Sequence, residues 1–281
     1  MFTFIVENKY GQKLELTHNP NYDITEIDGL DPPEAIINTT RNANADGSVF
    51  NSSYVTDRQI IITLAINSPA EANRINLYKY FKAKFPVTLY YQNATRNVYI
   101  NGYVKNIEVA FFDKKQIAQI TVFCTQPLFN GIEESLQEFS SVESLFEFPF
   151  EVESYTEFSE VEINTEQSIV NNGDVDTGVI ITIHANGQVV TPKLYNVDTN
   201  ESLVINVTMA EGDDIVINTR KNQKRITLTS GGVTTNIIGT LAEGSTWFQL
   251  VPGDNVFTIA ADDYVENMQV SFMMVDQYEG V

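Results

Sequence analysis

The stretch Ser68–Pro86, SPAEANRINLYKYFKAKFP, reads as a helix in a chain whose other patterned segments read as strands and turns. Its start carries a capping-box signature, with Ser68 placed to accept from the Glu71 amide while Glu71 reaches back. Pro69 takes the first helical position, where its missing N–H costs nothing. Leu77, Tyr78, Phe81 and Phe85, with Ile75 beside them, fall on one stripe at about 100° per residue. Lys79, Lys82 and Lys84 gather towards the end, where cations suit the helix dipole, and Pro86 stops the element. A lone amphipathic helix cannot bury its own face, so strands must supply the second layer. The expected fold is mainly β with a single helix over 68–86.

The segments around this helix agree. Phe2, Phe4 and Val6 alternate, a turn follows at Asn8 to Gly11, and Leu14 and Leu16 alternate back, which is the pattern of a hairpin with one buried face. Arg58 leads into the β-branched run QIIITLAI directly before the helix, and 87–91, 97–109 and 116–124 have strand character after it. Asn101-Gly102, inside VYINGYVKNIEV, is compatible with a hairpin turn or with a continuous strand carrying a glycine bulge. Between the two strand groups lies Gly29 to Tyr54, GLDPPEAIINTTRNANADGSVFNSSY. Its prolines block a central strand and Asn38 to Ser48 is largely polar, so it is expected to be a long loop. Ile36, Ile37, Phe50 and Tyr54 give that loop apolar anchors at both ends, and a partner that buries them would order it.

Charge divides the chain. Of 281 residues, 17 are Lys or Arg and 37 are Asp or Glu, for a formal charge of −20. Up to Asn130 the two signs balance at 12 each, so the remainder carries the whole excess. From Glu133 to Glu166 there are 11 glutamates and no Lys or Arg. In FEFPFEVE (146–153) aromatics alternate with glutamates at period two, and the segment reads as an acidic linker running into a first strand of a second domain. Such a chain repels phosphate rather than releasing counterions, which argues against nucleic-acid binding. No secretory leader and no membrane-length apolar run is visible, so the sequence reads as a soluble protein made in a cytoplasm. The one cysteine, Cys124, sits in the strand-like ITVFC and reads as a buried thiol.

Beyond Gly173 the pattern is all-β: TGVIITIHANG, TPKLYNV, ESLVINVTM, DDIVINT, KRITLTSG, TNIIGTL, STWFQLVPGDNVFTIAA and ENMQVSFMMV are short strands parted by Gly, Asn and Asp turns. That spacing predicts a β-sandwich. The expected domains are 1–131, with the helix, and 132–281, the acidic linker plus sandwich.

Over about the first 130 residues the order of features resembles a known family, the distal tail proteins (Dit) of long non-contractile phage tails that infect Gram-positive bacteria. The order runs from IDGL with its prolines and a polar loop containing Asp46-Gly47, through Arg58 and its strand, the helix, FPVTLYY, INGYVKNIEV and the QIAQI strand, to Cys124 with Pro127-Leu128-Phe129. The resemblance implies a tail-tube-like β-barrel or sandwich flanked by one helix, followed by a galectin-like β-sandwich. It also implies a structural role: a ring, most often of six copies, that joins the tail tube to the tip or baseplate and its receptor-binding proteins. The protein would then be part of the virion, and Ile36, Ile37, Phe50 and Tyr54 would form the clamp between neighbouring subunits. No catalytic residue, metal or cofactor is implied, and no membrane partner.

A galectin-like domain raises an alternative, a glycan-binding module of the tail tip. His184-Ala185-Asn186 matches part of a galectin sugar motif, and Trp247 offers a ring on which a sugar could stack. No Pro-Arg follows Asn186, and Trp247 lacks the Gly, Glu and Arg of a galectin site. Chemistry is poorly provided for. The chain has two histidines, His18 and His184, and shows no nucleophile–base spacing, phosphate loop or zinc spacing. Glu211 to Asp214 and Ala261 to Asp263 lack the pattern of a calcium loop and read as solvated turns.

Overall fold

A computed structural model describes residues 2–44, 46–111, 115–140 and 166–281. The reading of 146–153 as a strand lies outside these residues. The chain divides into two compact units, 1–132 with 277–281, and 133–276. The last five residues therefore pack with the first unit, a return that the sequence-drawn boundary at 131/132 does not contain.

In the first unit the strands are β1 (Thr3–Asn8), β2 (Lys13–Glu15), β3 (Tyr22–Asp28), β4 (Ala35–Thr40), β5 (Val49–Val55) and β6 (Arg58–Ile66), then the helix α1 (Ala70–Tyr80). They continue with β7 (Pro86–Gln92), β8 (Asn97–Val109), β9 (Gln116–Cys124) and β10 (Phe129–Ser140), which begins in this unit and runs on beyond its end at 132. One antiparallel sheet runs β2-β1-β7-β8-β9-β6-β3. Inward positions alternate along it, from Phe4 and Val6 through Val98 and Ile100 to Ile60, Ile62 and Leu64, all buried. Residues from both edges of the sheet, Leu14 and Tyr22, belong to that same core, so the sheet wraps onto a single apolar centre. At the first turn, the Asn8 Oδ1 accepts from the Tyr10 and Gln12 amides and closes the β1–β2 hairpin.

β8 is the spine. It pairs with β7 from Asn97 to Tyr103 and with β9 from Tyr103 to Val109, and the register shifts between Val104 and Asn106. Asn101-Gly102 is therefore mid-strand and makes no turn; the irregularity comes three residues later. Gly102 is required for a different reason: a Cβ there would lie 2.6 Å from Val122 Cγ1 and 2.9 Å from Cys124 Sγ. Cys124 is fully buried, and burial pushes its thiol up to about 12. At pH 8 only about one molecule in 10⁴ would carry the thiolate, the nucleophilic form. A thiol reagent at that pH is expected to leave the native protein unlabelled and to modify one site per chain after denaturation. Fast labelling of the native chain would contradict the burial.

The helix is shorter than 68–86 and starts differently. Pro69 is the N-cap, in extended conformation, and no side chain caps the helix. Ser68 lies one position too early to serve as cap, so the Ser68–Glu71 box does not form. At the other end Phe81 is the C-cap, which leaves Lys82 and Lys84 beyond the helix and Lys79 as the cation in its last turn. Pro86 opens β7 and is not the stop. The buried face is Asn73, Leu77 and Phe81, while Ile75 and Phe85 are exposed. A polar residue lies on the buried face because its hydrogen bonds are met: Asn73 Nδ2 donates to the Asn67 carbonyl at 2.9 Å, and its own carbonyl accepts from Tyr22 Oη at 2.8 Å. The helix is thus riveted to β3 by polar contacts and to the core by two apolar side chains.

The second unit is built from β11 (Glu166–Asn171), β12 (Thr177–Gly178), β13 (Ile180–Ala185), β14 (Val189–Val190), β15 (Lys193–Asn196), β16 (Glu201–Val204) and β17 (Thr208–Met209). Then follow β18 (Asp214–Asn218), β19 (Arg225–Ser230), β20 (Val233–Asn236), β21 (Gln249–Leu250), β22 (Gly253–Ala260) and β23 (Met268–Tyr278). TNIIGTL, expected as a strand, is split between the end of β20 and a 3-10 turn at Ile238–Thr240. Two antiparallel sheets, β23-β13-β18-β19-β20 and β11-β22-β15-β16, send Ile181, Ile183, Val270 and Phe272 from one side and Leu194, Leu203, Phe257 and Ile259 from the other into one core. That is the expected sandwich. Its corners are held by buried asparagines. Asn255 Nδ2 donates to the carbonyls of Ile169, Val251 and Gly253, and Asn171 Nδ2 to those of Val175 and Leu250. Among the described residues the fold is mainly β with one α-helix.

Candidate functional site

The segment expected as a loop is a two-stranded arm. Gly29, at φ +86°, lets the chain leave β3 against β6; a Cβ there would sit 2.1 Å from the Gln59 carbonyl oxygen. After Pro32 and Pro33 the chain forms β4 and returns as β5. Ile36 pairs with Tyr54 and Ile37 with Ser53, and a bulge falls after Asn38. Of the polar stretch 38–48, Asn38 to Thr40 lie inside the ladder instead. Strand pairing satisfies backbone groups and needs no apolar content, and here side chains add to it. Asn38 Nδ2 donates to Ser52 Oγ at 3.1 Å and Asn51 Nδ2 to Thr40 Oγ1 at 2.6 Å.

Every residue of both strands is exposed. Ile37 keeps 63% of its surface, Phe50 62%, Tyr54 52% and Ile36 41%. All four residues singled out from sequence are thus brought together on one hairpin, where Ile36 and Tyr54 lie opposite each other and Ile37 points to the other face. Val49 and Val55 extend the same apolar surface, at 56% and 39% exposure. They were legible as β-branched residues flanking Phe50 and Tyr54, but only the strand pairing puts them beside the four anchors. A two-stranded hairpin is at best marginal in water without a third layer. Large apolar side chains stand exposed on both faces of the arm, the kind of contiguous surface that marks interaction sites.

The other sequence candidates give less. Trp247 is half-buried, packed against the core of the second unit, with Lys224 Nζ 5.5 Å above its ring. His184 Nδ1 lies 2.7 Å from Asp214 Oδ1 across the β13–β18 pair, on a partly exposed sheet surface. Asp213 is spent on its own turn, where its carboxylate accepts from the Ala210 amide. Asp262 pairs with Lys193, which holds its carboxyl below the usual range. Among the described residues no three His, Cys, Asp or Glu side chains gather as a metal site. A groove of about 560 Å³ in the first unit, lined by Phe2, Leu16, His18, Pro20, Tyr22 and Ile24, is largely apolar and assembles no nucleophile–base pair.

Comparison with known proteins gives three findings. Residues 172–274 match the family model described as the siphovirus-type tail component, C-terminal domain. No curated protein sequence matches the chain. Among solved structures, the crystal structure of the Dit protein of phage SPP1, titled a paradigm of the hub adsorption apparatus in phages that infect Gram-positive bacteria, superposes with a TM-score of 0.68 at 14% identity over 99% of both chains. A chain of the phage p2 baseplate in its activated conformation with strontium superposes with a TM-score of 0.51 at 13% identity over the full length of both chains. At such identities the structures testify to fold, and that fold spans both units. The resemblance read from the first 130 residues and the family match over 172–274 come from different parts of the chain and agree: residues 172–274 match the siphovirus-type tail component, and the chain shares the fold of the SPP1 Dit protein over 99% of its length.

Proposed function

We propose that the chain is a structural hub at the distal end of a phage tail, a subunit of a closed ring, most often of six, that joins the tail tube to the tip or baseplate and its receptor-binding proteins. It would be made in the host cytoplasm and work in the virion. The observation that carries the reading is the arm of β4 and β5, which offers Ile36, Ile37, Phe50 and Tyr54 to a neighbour and buries none of them on its own chain. A head-to-tail contact, in which each subunit gives one arm and receives another, repeats identically and closes when the rotation allows. The family of the second unit and the fold shared with the SPP1 hub protein support the same reading. Domains divided at 131/132 fit a ring-forming part followed by a part presented to other tail proteins.

The purified chain is expected to scatter light as six copies of a 31.6 kDa protein, about 190 kDa. A monomer that persists at the highest soluble concentration would remove the ring. No observation favours glycan binding: the Trp247 ring it would use is half-buried against the core of the second unit, with Lys224 Nζ 5.5 Å from its centre.

A further inference from the structure

Arg58 is 5% exposed, and its guanidinium donates to backbone carbonyls, with no carboxylate in hydrogen-bonding reach among the described residues. Four of its N–H groups donate to backbone carbonyls. Nε reaches Pro127 at 2.6 Å, Nη1 reaches Gly29 at 2.7 Å and Asp31 at 2.8 Å, and Nη2 reaches Glu279 at 2.6 Å. The ring of Phe129 lies 4.7 Å from the guanidinium carbon. A charge buried among carbonyls is tolerated only where its donors are nearly all met, and four of five are met here.

The three segments it holds have separate places in the chain. Gly29 and Asp31 are the root of the arm. Pro127 and Phe129 lie just before the chain leaves the first unit after Ile132, and Glu279 just after it re-enters at Gln277. Further contacts inside the first unit fasten the same three. Gln277 Nε2 donates to Asn130 Oδ1 at 3.0 Å, and the Val281 amide donates to the Leu30 carbonyl at 3.2 Å. Gly280 fits because it has no Cβ, which would lie 2.9 Å from Pro32 Cδ and 3.2 Å from the Leu30 carbonyl oxygen.

We infer that Arg58 is the coupling node of this protein, one side chain that makes the root of the arm and the two connections to the second unit open and close as a single piece. The fork geometry of arginine is what permits it. Lysine at this position would bring the same charge but cannot span carbonyls from three segments. Whatever fixes or displaces the arm is thereby felt where the chain passes to and from its second unit, without a direct contact between ligand and that unit.

Hydrogen exchange on the full chain carrying Arg58→Lys tests the node. Amides of 29–36 and of 277–281 should exchange about tenfold faster, both together, while 60–64 and 118–122 keep their protection. One segment loosening while the other stays protected, or wild-type protection in both, would overturn the node. Should that variant fail to fold, Gly280→Val displaces the returning segment from Pro32 without touching Arg58. Faster exchange is then expected at 29–36 and 126–130 as well as at 277–281, and unchanged exchange at the first two sinks the inference. The readout is local opening within one chain. A monomeric protein with coupled exchange would keep the node and lose the ring, and the reverse result would do the opposite.

Discussion

The double substitution Ile37→Asp/Phe50→Asp is expected to leave a folded chain that no longer self-associates. Both side chains are more than 60% exposed in the single chain, so replacing them should move folding stability by only about 0.5 kcal/mol. In the proposed ring both would be buried on the neighbour, each contributing about 1.5–3 kcal/mol. Losing both removes about 3–6 kcal/mol per contact, roughly 10²–10⁴ in each association constant, before the cost of burying two carboxylates is added. Because each subunit of the proposed ring would give and receive one arm, the loss would recur at every contact. Light scattering should report a single chain, and the thermal melt should be unchanged. Rings that survive the double variant would show that the arm is not the clamp.

Phe257→Ala should unfold the second unit selectively. Phe257 is fully buried in that unit's core, edge-on to Phe248 at 5.2 Å and tilted against Phe272 at 5.0 Å. Truncating such a side chain costs about 3–5 kcal/mol from lost transfer energy and the cavity left behind. For a unit of this size that is a fall of about 10 °C in melting temperature. No residue of the first unit's core belongs to the cluster around Phe257. Calorimetry is therefore expected to show two transitions, one lowered by the substitution and one unmoved. A single transition that shifts as a whole would mean the two units melt cooperatively and do not fold as separate domains.

Features that rest on local pattern are legible in the amino-acid sequence. Period-two alternation located β1, β-branched and strand-like runs located β6, β7 and β9, and short apolar runs parted by Gly, Asn and Asp turns located most strands of the sandwich, because these signals are written residue by residue. The α-helix, the buried Cys124, and the apolar character of Ile36, Ile37, Phe50 and Tyr54 were legible for the same reason. The tertiary structure decided whatever depends on a partner distant in sequence. Asn73 faces inward because the Asn67 carbonyl and Tyr22 are there to bond it, so the helix face turned away from Ile75 and Phe85. Asn101-Gly102 runs on as strand because Thr88 and Val87 of β7 pair with it, and residue 102 is glycine because Val122 and Cys124 leave no room for a Cβ. Asn38 to Thr40 became a strand because 49–55 came back to pair with it, and cross-strand pairing is blind to how polar the paired residues are. Arg58 looked like the first residue of a strand. Its four carbonyl acceptors lie between 27 and 221 positions away, and no local pattern announces them, since a backbone carbonyl is the same atom in every residue.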